Sequence, residues 1–591
     1  MTTDIENLFK DKVLGHPAGL FVLFFTEMWE RFSFYGMRVL LVNFLTFSLI
    51  GDNPGWGWSA ENAGALFGTY AMLLYITPII GGVIADKFTG YRLAVIIGSI
   101  IMAAGHACMA LETEFTLYFG LGLLVVGTGF FKPNITSIIS EMYKKNPEKK
   151  DGAYTIFYMG VNAGAFFGMM LCGYLAEKIG WSYGFGLADI FMLLGTLQFS
   201  FSGNLFGKIG LKPTKVHHVE DIQDGDNSIA EITEDPEVEK ENPFTLLDKI
   251  LIIVCAVVGL GYAINDPMSK IAGIDIFSAL QMGQFEGQYV AVLFALALFL
   301  FLVIGRILRY TKVVRDRMFA FIIFAFFTVF FWLSFEQGAS SLVLFARDNV
   351  DRVLLGNSAF VFNVINALLT VVPLVIITYV LIDLWKKTFK KIPYSNIVLA
   401  VCFLFMWGIV FWMLKREFSA DVSEITVSWF SILNSFFIIV FASFFSKWFE
   451  SKYNPSAAAK YALGLIIMAI GFGLLAFGAY GVQEGVKVSM VWLILAYLFH
   501  TLGELCLSPV GLSYVSKLVP ARMIALMFGM WYLAIAIGNK LAAVLGGQIE
   551  NITKAYSLST FFLIFTIVPI VAGLVVFALN PALKKLMHGV R

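Results

Sequence analysis

Apolar residues run along this chain in long blocks broken by short polar turns. Sixteen blocks are long enough to cross a bilayer as helices; they begin near residues 20, 61, 92, 115, 152, 184, 246, 287, 317, 360, 394, 426, 458, 487, 521 and 557. A spanning helix takes about 20 apolar residues. Lysine and arginine collect in the turns at Lys87/Arg92, Lys144–Lys150, Arg306–Arg317, Lys386–Lys391, Lys447–Lys460, Lys517–Arg522 and Lys584–Arg591. If every block spans once, all of these fall on one side, which the bias of positive charge makes cytoplasmic. An even number of spans then puts both termini in the cytoplasm. The first block is too long for a cleaved signal peptide, carries Glu27 and Arg38, and lacks a small-residue cleavage site.

The spacing of the blocks predicts the organisation. An N-terminal six-helix bundle covers 15–206 and an acidic, hydrophilic linker covers 207–245. The linker, acidic from Glu220 to Glu241 and poor in aromatics, reads as a solvated cytoplasmic spacer. An inserted helix pair over 246–310 has few polar residues and looks lipid-facing. A C-terminal six-helix bundle covers 317–591 and contains a second inserted pair at about 358–415. The predicted fold class is an all-α polytopic membrane protein. Two bundles of six joined by a cytoplasmic loop resemble the major facilitator architecture, with a binding site at mid-membrane between the halves. The string from Gly82 to Arg92 has the form G-x-x-x-D-x-x-x-G-x-R between the second and third blocks. It places Asp86 and Arg92 to pair across helix ends when a cytoplasmic gate is shut.

Composition agrees with a membrane protein. Of 591 residues, 59% are hydrophobic and 14% charged, with a net charge of +1, and the mean hydropathy is +0.79. Nothing in that balance favours nucleic acid. The five cysteines all lie inside apolar blocks, so neither a disulfide framework nor metal-ligand spacing is implied.

Against this background the charged residues inside the blocks carry the information, because they are costly in a bilayer and usually line an aqueous path. The first block holds Glu27, Glu30, Arg31, Tyr35 and Arg38, spaced three and four apart and so on one helix face. Arg38 lies about 27 Å along the axis from Leu20, too deep for snorkelling from a helix end. Acids beside arginines make a group that can change protonation state and a partner that feels the change. Lys132 is a lone cation in the fourth block. Tyr158 and Asn162 share a face in the fifth, and Tyr75 places a phenol in the second. The C-terminal half supplies Trp332 with Glu336, Asn434, Glu504 with Ser508, and Trp531. Basic groups in the first half and acids with an amide in the second suit a zwitterion, its carboxylate to the first half and its ammonium to the second. His106 and His500 are isolated intramembrane histidines without a matching set.

Taken together these strings are similar to the proton-dependent oligopeptide transporter family. The motif E-x-x-E-R-F-x-Y-Y-G is met at Glu27 to Gly36, with Phe34 in place of the first tyrosine. The fourth-segment lysine motif is met at Gly129 to Asn134, F-Y-x-x-x-N-x-G at Phe157 to Gly164, F-W-x-x-x-E-Q at Phe331 to Gln337, and G-E-x-x-x-x-P at Gly503 to Pro509. The resemblance implies proton-coupled symport of di- and tripeptides into the cell by alternating access, with protons as the coupling ion and no cofactor. It implies proton coupling by Glu27, Glu30, Arg31 and Lys132. It implies substrate contacts from Tyr35, Arg38, Tyr75, Lys132, Tyr158, Asn162, Trp332, Asn434, Glu504, Ser508 and Trp531. Glu336 resembles a gating acid that pairs with Arg38 or Lys132. Gly68 stands where animal members carry a histidine, and their large extracellular domain is missing, so a bacterial inner-membrane protein, sufficient as a monomer, is expected. The proline that follows the eighth-segment asparagine is absent after Asn434; Asn366, followed by Pro373, competes for that role. Asn434 is preferred because Asn454-Pro455-Ser456 follows it as the family's next helix start does. The alternatives are the same fold moving another small anion such as nitrate, or a non-transporting sensor. An enzyme is not expected, since no nucleophile–base pairing, metal cluster or phosphate loop is evident.

Overall fold

Each of the sixteen apolar blocks becomes a helix in the computed structural model, which describes residues 10–146, 149–212, 242–483, 485–519 and 523–590. The acidic core of the expected linker lies outside the described residues. The long helices are α1 (Ala18–Thr46), α2 (Ala60–Ile84), α3 (Tyr91–Met109), α4 (Glu114–Met142), α5 (Lys150–Lys178), α6 (Trp181–Ser200), α7 (Leu246–Ala272), α8 (Gly287–Ile307), α9 (Lys312–Phe335), α10 (Gly356–Thr388), α11 (Pro393–Phe418), α12 (Val427–Glu450), α13 (Ala457–Gly478), α14 (Met490–Leu518), α15 (Ile524–Gly546) and α16 (Leu558–Ala578). Among the described residues, 14 helical segments are long and apolar enough to cross a membrane; α1, with its four charged side chains, and α6 are the two long helices outside that set. Short polar caps start several of them: Thr113, Thr245, Ser456 and Ser557 each accept a backbone N–H of the first turn.

The helices sort into two compact units. The first comprises Met1–Trp56, Ile76–Ser228 and Ala346–Phe436; the second comprises Gly57–Tyr75, Ile229–Phe345 and Phe437–Arg591. Helices α2 and α12 therefore contribute to both, α2 changing unit after Tyr75 and just before Pro78, which interrupts its backbone ladder.

In the first unit α1 packs along α5 and α6, and α3 along α4. The α1–α5 approach is close because α5 presents glycine every fourth residue. A Cβ at Gly160, Gly164 or Gly168 would overlap backbone carbonyls of Phe24, Met28 or Phe32 on α1. Without water to drive helices together, such small-residue seams let backbones meet. The second inserted pair, α10 and α11, clusters here and not with the C-terminal helices that surround it in sequence. Phe403 of α11 meets Phe25 and Trp29 of α1 edge-on at 5.6 and 5.7 Å, and Phe405 stacks on Phe191 of α6 at 5.7 Å. Its partner α10 is not bland: Asn363, Asn366 and Thr370 are buried, and the Trp429 indole donates to Asn366 Oδ1 at 3.2 Å. Glu177 of α5 accepts the Val427 and Ser428 backbone N–H groups at 2.8 and 3.1 Å, capping α12.

In the second unit α13 packs on α14 and α16, and α9 on α15. The first inserted pair, α7 and α8, is locked at both ends. At one end Asp248 takes Arg306 at 2.9 Å and Arg309 at 2.7 Å. At the other, Asn265 donates to Asp275 at 3.0 Å and Gln288 at 3.1 Å and accepts the Ile276 N–H at 2.6 Å. Most of its apolar surface is exposed, as expected of a lipid-facing pair, but its inner face carries the wholly buried Asp266. The expectation of a pair with few polar residues is corrected on that face.

Candidate functional site

The charged part of the α1 stripe is buried, and its Arg31 lies against Gly164 of the α5 glycine seam. Glu30 is wholly buried and Glu27 and Arg31 are 5% and 6% exposed. The Arg31 guanidinium sits between the two acids. It holds Glu30 in a two-pronged pair, Nε to Oε2 and Nη2 to Oε1, the latter at 2.9 Å. It meets Glu27 only through Nε and Oε1 at 3.0 Å, and Glu27 Oε2 has no hydrogen-bond partner. Gly164 is what allows this: a Cβ there would press on the Arg31 Cβ at 2.9 Å. Phe34, the departure from the motif, lies under the guanidinium at 5.1 Å.

Lys132 on α4 lies within electrostatic reach of Glu27, Glu30, Arg31 and Arg38. Pro133 follows it, removing one helix hydrogen bond, and Asn134 turns its amide back onto the Phe130 carbonyl at 2.6 Å. Further along α1, Arg38 lies over the Tyr35 ring at 6.0 Å, both half-buried. On α5 Tyr158 is 53% exposed, whereas Asn162 is buried and donates to the Tyr158 carbonyl at 3.0 Å. Asn434 lies half-buried on α12 within the same unit. The first unit thus brings together Glu27, Glu30, Arg31 and Lys132.

The second unit holds Tyr75, Trp332, Glu336, Glu504, Ser508 and Trp531. Tyr75 faces Tyr532, beside Trp531 on α15, with ring centroids 6.3 Å apart. Trp531 is 4% exposed against Phe321 of α9 at 6.0 Å. Trp332 lies where α15 comes closest to α9, a Cβ at Gly538 falling 2.8 Å from its own Cβ. Glu336 is buried at the turn that ends α9; the next residue, Gln337, donates to the Ala542 carbonyl at 2.9 Å. Glu504 and Ser508 are half-buried on α14.

Two of these readings meet specific contacts in the structure. Asp86 and Arg92 form no ion pair among the described residues. Arg92 gives its guanidinium to the Gly207 carbonyl at 2.9 Å, and its backbone N–H goes to Gly210 O, because the segment after α6 folds back over this turn. Asn366, the competitor of Asn434, is engaged with Trp429 inside the inserted pair's packing. The sequence reading also missed Lys540, a cation buried in α15 and paired with Asp266 of α7 at 2.5 Å. The test that picked out Lys132, a lone charge in an apolar helix, applies equally to it. Among the described residues no cluster of three histidine, cysteine or acidic side chains is placed to hold a metal.

A multi-pass bundle whose first helix buries two acids around one arginine places ionisable groups where intramembrane charges usually mark an ion or substrate path. The family model described as PTR2, the POT family, matches residues 92–223 and 376–563, more than half of the chain. The chain therefore belongs to the POT family. It is 29% identical over 583 residues to the peptide transporter YePEPT of Yersinia enterocolitica, covering 97% of this chain and 96% of that protein. It is 25% identical over 602 residues to the di-/tripeptide transporter of Lactococcus lactis, covering 99% and 100%. Among solved structures it resembles that of peptide transporter POT in complex with sulfate, at 27% identity and a TM-score of 0.70, covering 100% of this chain and 99% of that one.

Proposed function

We propose that this protein carries di- and tripeptides into the cell together with protons, by alternating access. The observation that carries the reading is the unequal holding of two buried carboxylates by one arginine on α1. Glu30 is gripped at both oxygens, while Glu27 is touched at one and its buried Oε2 has no hydrogen-bond partner. A proton arriving at Glu27 Oε2 leaves Arg31 paired with Glu30 and removes one negative charge felt by Lys132. That is a local change in charge able to bias a two-state helix arrangement. Relatives named as peptide and di-/tripeptide transporters support the cargo.

In this reading Tyr35, Arg38, Lys132, Tyr158 and Asn162 receive the peptide backbone and its carboxylate. Tyr75, Trp332, Glu504, Ser508 and Trp531 receive the ammonium end and side chains, and Asn434 is a further substrate contact. Glu336 acts as a gating acid. The protein works as a monomer in the bacterial inner membrane with both termini cytoplasmic, and protons are its only coupling ion.

The test is uptake of a labelled dipeptide into proteoliposomes with an imposed inward proton gradient. Accumulation above the external concentration, collapsed by a protonophore and competed by tripeptides but not by nitrate, is the expected result. Equal uptake with and without the gradient would remove the proton coupling, and no uptake would remove the cargo.

A further inference from the structure

The Lys540 side chain is 3% exposed and its ammonium serves two other helices of the second unit. It donates to Asp266 Oδ2 of α7 at 2.5 Å, to Thr69 Oγ1 of α2 at 3.0 Å and to the Ala65 carbonyl of α2 at 3.2 Å. Thr69 in turn donates to the Ala263 carbonyl of α7 at 2.5 Å, and the Tyr262 ring lies 5.7 Å from the ammonium. An ammonium has three donors, so this one is saturated. The surrounding charges are Lys270, itself paired with Glu61, and Glu286. Asp266 is wholly buried and its Oδ1 has no hydrogen-bond partner. A charge pair at this depth is costly to desolvate, and intramembrane charges of this kind usually carry function.

We propose that Lys540 is a positioning residue for transport. Through it the inserted helix α7 fixes the first half of α2, and with it Tyr75, against α15. The inference rests on the peptide-transport reading. The α2–α15 seam is already tight. A Cβ at Gly64 would fall 2.5 Å from the Ala543 carbonyl, and one at Gly68 would fall 3.1 Å from Lys540 Cδ. The lysine stem crosses α2 over Gly68, and its head bonds Ala65 and Thr69 on either side of that glycine. Tyr75 lies about 9 Å along α2 from Thr69, and Tyr532 about 12 Å along α15 from Lys540. The hub and the Tyr75–Tyr532 contact therefore sit at two levels of one seam. Just beyond Tyr75, α2 leaves this unit and Pro78 breaks its ladder. The orientation of Tyr75 thus depends in part on what holds the half of α2 before it, and the hub, with the Glu61–Lys270 pair between α2 and α7, forms a polar part of that hold.

The double variant Asp266→Asn with Lys540→Met removes both charges and leaves no lone one buried. Proteoliposome kinetics should show a KM for dipeptide at least fivefold above wild type with the maximal rate within twofold. An unchanged KM would overturn the proposal and leave the pair a staple for the inserted helices. If the double variant does not reach the membrane, Thr69→Val, which removes the hydroxyl that accepts from Lys540 and donates to Ala263 but keeps the ion pair, takes its place: a KM raised at least twofold supports the proposal and an unchanged one overturns it. A wild type that takes up no dipeptide would sink the peptide-transport reading alone. The tether is then read from maleimide labelling of Tyr75→Cys over the parent's background. The charge-neutral pair of substitutions should speed labelling at least fivefold, and an equal rate would overturn the proposal.

Discussion

Glu27 and Glu30 are adjacent on one helix face and chemically alike, yet Arg31 treats them differently. Glu30→Gln breaks a two-pronged buried pair and leaves a guanidinium half satisfied. Removing one partner of such a pair costs roughly 3–5 kcal/mol in soluble proteins. That variant should lose both concentrative uptake and several degrees of melting temperature. Glu27→Gln imitates the protonated acid at the looser position. It should abolish uphill uptake while counterflow exchange of labelled dipeptide stays within about threefold of wild type. Gradient-driven accumulation by Glu27→Gln would move the coupling role elsewhere. In the second unit, Glu504→Ala should weaken binding of a free dipeptide roughly tenfold, the scale of a charge-assisted hydrogen bond of about 1.5–3 kcal/mol. An N-acetylated dipeptide should bind both forms alike; equal losses for the two ligands would mean a structural role for Glu504.

At the scale of elements, glycine seams and aromatic contacts decide which helix lies against which. Gly164→Ala would push α5 away from Met28 and Arg31, overpacking of a kind that costs about 1–3 kcal/mol in soluble cores. Purified Gly164→Ala should melt lower and transport poorly, whereas Gly122→Ala, with open space around its Cβ, should do neither. Helix α11 reaches the back of α1 through Phe403, so the second inserted pair supports the proton-site helix through aromatic packing. Phe403→Ala should lower the melting temperature and leave the KM for dipeptide unchanged. Asn366→Ala should behave the same way, having lost only the Trp429 contact, whereas Asn434→Ala should raise the KM. The reverse outcome for the two asparagines would move the pocket onto α10.

At the scale of the molecule, transport requires that protonation on one helix change which arrangement of the bundle is preferred. The expected signature is thermodynamic: dipeptide and proton should each raise the apparent affinity for the other by the same factor. Binding of a dipeptide to detergent-solubilised protein should therefore take up protons, measurable as a shift of a pH dye. Glu27→Gln should abolish that uptake while binding persists.

What the sequence determined by itself was whatever depends on neighbours along the chain. The sixteen helices follow from runs of apolar residues, and the stripe of α1 follows from spacing at three and four. Those runs and that spacing act within one segment, so no partner need be known. The tertiary structure decided everything that needs a partner. Glu27 and Glu30 differ because of where one guanidinium points against α5. Arg92 turns to Gly207 because a distant segment folds over it. Asp266 and Lys540 meet across 274 positions of sequence. The pair α10–α11 joins the first unit although it is embedded in the second half of the chain. Which faces of sixteen similarly apolar helices meet is set by glycines, aromatic rings and buried charges acting jointly between segments, and no single segment contains that information.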